Sequence, residues 1–215
     1  MRVSTFGLKD LQTYGDLWWR SLELRRHIFV EELGWDIPRN KEVEFDEYDR
    51  PDTSYIICHD AEEIFGSIRI APTAARWGAY SSMIGDAVAG LLPGIPQDIV
   101  ADFEPKENLF EATRFFVTAD RMKTRLEAQK RIFEAAMAET ERRGGDTLLS
   151  ISPLAMIKLI TRTSLASEQI GKTVYYDGAP HAVIATKRAR VPTPAPVPLR
   201  RPAAAELYEE LKIPA

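Results

Sequence analysis

At 215 residues the chain suits one globular domain with a short appendage. Its 45% apolar share supports a full core, and no run of about 18 apolar residues reads as a membrane span. A net charge of −4, without basic and aromatic residues interleaved on a strand, argues against a nucleic-acid partner. Cys58 is alone, and His27, His59 and His181 are scattered, so neither a disulfide nor a metal site is expected. Met1–Phe6 lacks the apolar core of a secretory signal, which together with the lone cysteine predicts a cytoplasmic protein. The charge is uneven: residues 1–119 carry 12 Lys/Arg against 21 Asp/Glu, and residues 120–190 carry 13 against 8. That asymmetry predicts an acidic site region and a basic docking face, the alternative being scattered surface charge.

Arg2–Leu8 reads as a first strand. Asp10 then offers an N-cap to a helix with Leu11, Tyr14, Trp18, Leu22, Arg25 and Phe29 at three-to-four-residue steps, ended by Gly34. The long polar connection Trp35–Asp52 interleaves Val43, Phe45 and Tyr48 with Glu44, Asp46 and Asp49, and is expected to lie across the body as a site loop. Ser54–His59 and Ile64–Ala71 predict a hairpin, with Phe65, Ser67 and Arg69 on one face and Ile64, Ile68 and Ile70 on the other. Thr73–Glu107 is irregular, with a short helix near Met83–Ala89.

Asn108–Thr118 is rich in aromatic and β-branched residues and reads as a central strand. Two charges, Glu111 and Arg114, sit inside it. Residues three apart in a regular strand point to opposite faces, so both serve one site only if the strand bulges between them. The competing reading is an edge strand with two solvated charges. Asp120 is expected to cap a helix to about Arg143 with Met122, Leu126, Phe133, Met137 and Thr140 inside, stopped by Gly144 and Gly145. Thr147–Ile151 reads as a strand, Pro153 opens a helix to about Thr163, and Val174–Tyr176 with Ala182–Thr186 closes the sheet. From Val191 the chain is Pro-rich, with a last short helix expected over Ala203–Lys212. The division is therefore a domain over 1–190 and a tail over 191–215.

This element order predicts an α/β (α+β) fold: a three-layer α/β/α sandwich with a mixed, splayed central sheet, laid out like an acetyltransferase (GNAT). In that fold a thioester arm enters where the central strand leaves its neighbour. The turn Val117–Met122, where acetyl-CoA users hold pyrophosphate on glycine amides, here has no glycine and carries Asp120.

The residues Arg25, Phe29, Trp35, Glu44, Asp46, Asp49, Arg69, Glu111 and Arg114 fall in order into a pattern. It runs Arg, Phe four residues on, Trp, then Glu-x-Asp-x-x-Asp, Ser-x-Arg and Glu-x-x-Arg-Phe. In this, and over Leu8–Thr186, the chain resembles the acyl-homoserine lactone synthases of bacterial quorum sensing. The resemblance implies transfer of an acyl chain from acyl carrier protein, or from acyl-CoA, to the amine of S-adenosylmethionine. Lactonisation and release of methylthioadenosine follow. It implies no cofactor, S-adenosylmethionine being a substrate.

A protonated amine cannot attack a thioester, so a base is required, and Glu111 is the best candidate. Its other reading is an ion pair with Arg114 or Arg69. Arg114 and Arg69 are expected to brace the acidic loop through Asp46 and Asp49, which are also candidates to offset the substrate's cationic centres. Phe29 and Trp35 are expected either to face adenine or sulfonium or to pack in the core, and Arg25 to meet the substrate carboxylate. Phe103, Phe116, Met137, Ser150 and Leu154 are candidates for the acyl chain, though ordinary core reads the same. By alignment with the family, Ser150 lies near that chain. The basic residues Arg121, Lys123, Arg125, Lys130, Arg131, Lys158 and Arg162 suit an acidic carrier protein. Two departures stand out. Thr163-Ser164-Leu165 replaces an expected Ser-Gly-Trp, and the Pro-rich tail has no family counterpart. The alternatives are another N-acyltransferase of this fold using acyl-CoA, or a non-catalytic binder of acyl chains or acyl carrier protein.

Overall fold

The computed structural model describes residues 1–176 and 178–189. The Pro-rich tail and the helix expected over Ala203–Lys212 lie outside them. The strands are β1 Arg2–Gly7, β2 Ser54–His59, β3 Ile64–Pro72, β4 Leu109–Val117, β5 Thr147–Pro153, β6 Leu165–Gln169, β7 Val174–Tyr176 and β8 Ala179–Arg188. The helices are α1 Leu11–Arg25, which continues as a π-helical stretch Arg26–Glu32, then α2 Met83–Val88, α3 Met122–Arg142 and α4 Ala155–Ile160.

The strands join in one mixed sheet, ordered β1-β2-β3-β4-β5-β8-β6, with β7 on β8. Its pairs are antiparallel except β4–β5. That parallel ladder is short: Leu109, Phe110 and Glu111 face Thr147, Leu148 and Leu149, and no pair follows. β4 and β5 therefore part beyond Glu111, which is the splay that the sandwich requires.

Alternation along the strands supplies two apolar faces. On one, Ile56, Cys58, Ile68, Ile70 and Phe110 pack against Ala128, Ile132, Phe133, Ala136 and Met137 of α3. On the other, Phe6, Tyr55, Ile57 and Phe116 pack against Leu17 and Phe29 of the first helix. A third cluster joins Ile84 of α2 to Ile99, Val100, Leu149 and Val183.

Several local expectations are corrected. Asp10 does stand at the N-cap of α1, but its carboxylate makes no capping bond to that helix; it accepts from the Gly7 amide 2.9 Å away, closing a 3-10 turn ahead of the helix. Asp120 lies one residue outside α3, whose N-cap is Arg121. Met122 is 67% exposed and Leu126 is exposed too, because the first turns of α3 join none of the buried clusters; the inner stripe starts at Ala128. Pro153 closes β5 instead of opening a helix, and α4 stops at Ile160. Ile64 and Phe65 exchange faces, since the β2–β3 register shifts between Cys58 and His59. Ile64 joins Tyr55 and Ile57, and Phe65 turns to the α3 side. β6 was not foreseen: Leu-Ala-Ser-Glu-Gln carries little strand signal, and its place is set by pairing with β8.

Candidate active site

β4 bulges where two charges had to share a side. Ser67 pairs with Phe116 and Arg69 with Thr113, so the register slips by one residue between them. Arg114 takes the strain, with φ of +54°, a left-handed conformation costly for a long side chain. The slip changes the phase of the strand. Before it Glu111 and Thr113 face the α1 side; after it Phe116 does so, while Phe115 stacks on Phe133 of α3 at 4.7 Å.

On that side six charges close into an alternating ring. Arg25 Nε donates to Glu44 at 2.5 Å, and Glu44 accepts from Arg114 Nη2 at 3.0 Å. Arg114 Nη2 also reaches Asp46 at 2.8 Å, and Asp46 receives Arg69 at 2.6 and 3.0 Å. Arg69 lies 2.8 Å from Asp49, and Asp49 returns to Arg25 through a two-pronged pair of 2.7 and 2.8 Å. Tyr55 Oη adds a bond to Asp49 at 3.0 Å, and Thr113 Oγ1 one from Arg69 at 2.9 Å. All six side chains are buried.

Three cations and three anions cancel, and each desolvated charge has partners on both sides, which is what makes such burial bearable. Burial alone would raise the Asp49 carboxyl, but Arg25 and Arg69 hold it well below the usual carboxylate range. Asp46 is likewise held low against burial by Arg69 and Arg114. Against burial in turn, Asp49 raises Arg25, and Asp46 and Asp49 raise Arg69. The ring is thus electrically closed, each formal charge meeting opposite charge on both sides.

This geometry places the sequence candidates differently from one another. Arg69 braces both Asp46 and Asp49, while Arg114 pairs with Asp46 and Glu44. Arg25, expected to meet a substrate carboxylate, is engaged at Nε and both terminal nitrogens by Glu44 and Asp49. Asp46 and Asp49, expected to offset substrate charge, are matched by arginines. Glu44 was visible in the pattern but was not among the candidate site residues; its two neighbours in the ring are 19 and 70 residues away in sequence.

Above the ring, the π-helical stretch sets Phe29 under Trp35, stacked with centroids 4.9 Å apart. The Leu33 amide reaches back to Ile28 and the Trp35 amide to Phe29, with Gly34 at φ +68° making the turn. Arg114 lies 5.7 Å from the Phe29 centroid. Trp35 is 41% exposed and Phe29 is buried, so the stack presents one open aromatic face.

Glu111 stands apart from the ring and pairs with neither Arg114 nor Arg69. Its two oxygens accept from the amides of Met83 and Ile84, the first residues of α2, at 2.7 Å each. Burial pushes its carboxyl up to about 7, against the pull of those amides and of Arg69. It occupies the last β4–β5 pair, at the point of divergence.

The acyl-chain candidates divide between faces. Met137 and Leu154 share the α3-side cluster. Ser150 lies opposite Ile184 of that cluster and bonds Ser152 at 2.9 Å. Phe116 instead packs under α1 and Phe103 against α2, so the five do not line one tunnel. A groove of about 860 Å³ runs between α1, the β2–β3 turn and the β4–α3 turn; no ring residue lines it. Among the described residues no His/Cys/Asp/Glu group is placed to hold a metal, and no helix is long and apolar enough to cross a membrane.

The sequence model of the autoinducer synthases matches residues 16–184, most of the chain and every residue of the ring. The chain belongs to that family. Similar curated autoinducer synthases include the acyl-homoserine-lactone synthase of Aliivibrio fischeri, 27% identical over 171 residues (76% of this chain, 81% of that one). That of Ralstonia nicotianae is 28% identical over 163 residues, 73% and 74% of the two chains. Membership makes the protein an acyltransferase. Among solved structures, TofI, in a ternary complex with an inhibitor and MTA, aligns with a TM-score of 0.66 at 25% identity, covering 87% of this chain and 91% of that one. The CoA-dependent acyl-homoserine lactone synthase BjaI shares the fold, with a TM-score of 0.71 at 20% identity, covering 99% and 90%. An acyl-CoA N-acyltransferase from Pseudomonas aeruginosa shares it more distantly, at 0.50 and 14% identity, over 87% and 99%.

Proposed function

We propose that residues 1–190 of this synthase transfer an acyl chain from the thioester of acyl carrier protein to the α-amine of S-adenosylmethionine, in the cytoplasm. The observation that carries the reading is the parting of β4 from β5 with a buried carboxyl, Glu111, at its apex. The names of the curated relatives and the MTA in the TofI structure support it.

Glu111 takes a proton from the substrate ammonium, directly or through one water; a carboxyl near 7 is matched to that task at neutral pH. The free amine attacks the thioester carbonyl carbon, and the thiolate leaves on the carrier. Backbone amides of β4 beyond Glu111 that face β5 have no ladder partner there and are the donors for the oxyanion. The substrate carboxylate then attacks its own γ-carbon, breaking the bond to the sulfonium and releasing methylthioadenosine.

A closed, neutral ring contributes rigidity rather than net charge to this step. In this reading Arg25, Asp46, Asp49 and Arg69 fix the loop, and Arg114, Phe29 and Trp35 form the surface the adenosyl and sulfonium groups meet. Met137, Ser150 and Leu154 border the acyl chain. Carrier protein is preferred as donor because the β4–α3 turn lacks glycine, while Arg121, Lys123, Arg125, Lys130, Arg131, Lys158 and Arg162 are exposed.

Purified protein supplied with S-adenosylmethionine and a mixture of acyl carrier protein and acyl-CoA thioesters, followed by mass spectrometry, tests this directly. Lactone and methylthioadenosine should form in equal amounts, faster from the carrier, and fall at least about 100-fold in Glu111→Gln. No lactone from either donor would end the proposal; product from acyl-CoA alone would replace the donor.

A further inference from the structure

We propose that Arg50 is a positioning residue for Glu111, holding the walls of that carboxyl's seat and favouring its ionised form. Its consequence for turnover rests on the reading of Glu111 as the base. Arg50 is 2% exposed, at the end of the site loop next to Asp49. It forms no ion pair with any described carboxylate: its terminal nitrogens donate to the carbonyls of Ser81 and, at 3.5 Å, Pro72, and Nε meets no acceptor among the described residues. A guanidinium buried without a carboxylate partner costs several kcal/mol, and an apolar side chain would fill the volume without that cost.

The two carbonyls it reaches define what it does. Pro72 ends β3, one residue past Ala71, which faces Glu111 across the ladder. Ser81 precedes Ser82, the N-cap of α2, and the next two amides are the ones that hold the Glu111 oxygens. Arg50 thus ties the β3 wall of the seat to its α2 wall. A second strap runs parallel. Tyr48 Oη donates to Asp86 at 2.8 Å, and Asp86 receives the Ser81 amide and hydroxyl at 2.9 and 2.8 Å.

The charged and titratable groups facing Glu111 are Arg69 of β3, Asp86 of α2, and Tyr48 and Arg50 of the loop. Arg69 is matched by Asp46 and Asp49, Asp86 is an anion, and Tyr48 is pushed up by burial and Asp86. Arg50 is the unmatched cation of the set. Burial, with Arg69, depresses it from its ordinary value, and Asp52, Glu111 and Asp86 are the charges that oppose that.

The test is a ¹³C NMR titration of protein labelled at the glutamate carboxyl, the Glu111 signal being assigned by its absence in Glu111→Gln. In Arg50→Gln the Glu111 midpoint should rise by about one pH unit, and the acid limb of kcat/KM should move with it, while KM for the amine stays within about twofold. In Arg50→Lys the charge remains and the midpoint holds, but the two-carbonyl grip is lost. The Met83 and Ile84 amides should then exchange with solvent about tenfold faster than in wild type. A midpoint that does not move in Arg50→Gln overturns the proposal. Should that variant not fold, unchanged exchange in Arg50→Lys overturns it instead. Near-normal turnover in Glu111→Gln would remove the base and leave the Arg50 question to the titration, so the two failures are distinct.

Discussion

Asp46 and Arg114 meet at 2.8 Å although 68 residues separate them, and the contact exists because β4 carries one residue more than β3 opposite it. Without the bulge, Arg114 would point to the α3 side. The strained φ of Arg114 is offset by two carboxylates, Asp46 and Glu44, that no regular strand would let it reach.

The ring should behave as a unit. Removing one member leaves a desolvated partner charge, so Arg69→Met is expected to cost about 3–5 kcal/mol in urea unfolding. A loss under about 1 kcal/mol would show that the ring does not hold the loop to the sheet.

Glu111 and Asp49 should give stability opposite pH dependences. Glu111 is raised in the fold, so its contribution is fully present below its unfolded value near 4.5 and is lost as pH rises through about 7. Wild-type stability relative to Glu111→Gln should therefore fall by about 3 kcal/mol across that window. Asp49 is depressed, so its contribution is present above the ordinary carboxylate range and disappears as pH drops below it. A Glu111→Gln difference that is flat with pH contradicts the burial argument.

Gly66 pairs with Val117, one pair from the bulge in β4. A Cβ there would stand 2.5 Å from the Phe116 carbonyl and 2.9 Å from Ile132 Cδ1. Gly66→Ala should cost about 1–3 kcal/mol and lower acyl transfer, since relief requires β4 to shift. Unaltered melting would mean that the strand yields freely.

The α3 methionines should differ. Met137, fully buried, should cost about 2–5 kcal/mol as Met137→Ala. Met122→Ala, on the exposed first turn, should lie within about 0.5 kcal/mol of wild type. Equal losses would place α3 wrongly on the sheet.

Trp35→Ala should raise KM for S-adenosylmethionine about 2- to 10-fold with little change in stability, because the indole stacks from outside on a ring already buried. An unchanged KM would take Trp35 out of the substrate surface.

Local order was legible in the amino-acid pattern wherever near neighbours decide it. The helix after Asp10, the Gly34 stop, the hairpin and the central strand follow from periodicity and turn chemistry, and two charges three apart already demanded a bulge. Asp10 stands at its N-cap without its carboxylate capping, Asp120 falls outside α3, and the inner face excludes Met122 and Leu126, because a carboxylate's choice of amide and the burial of a helix's first turns depend on what lies beyond the local window.

By itself the sequence determined the inventory: apolar faces for three layers, a central strand that could not stay regular, and the charged residues that had to be buried or solvated. Only the folded chain decided the partners. Which carboxylate each arginine meets, and that Glu111 is held by α2 amides rather than by an arginine, are settled by strand register and loop path over separations of 19 to 70 residues. Coulomb attraction is blind to sequence distance, so a pairing among three cations and three anions is degenerate until the backbone brings some of them together and keeps the others apart.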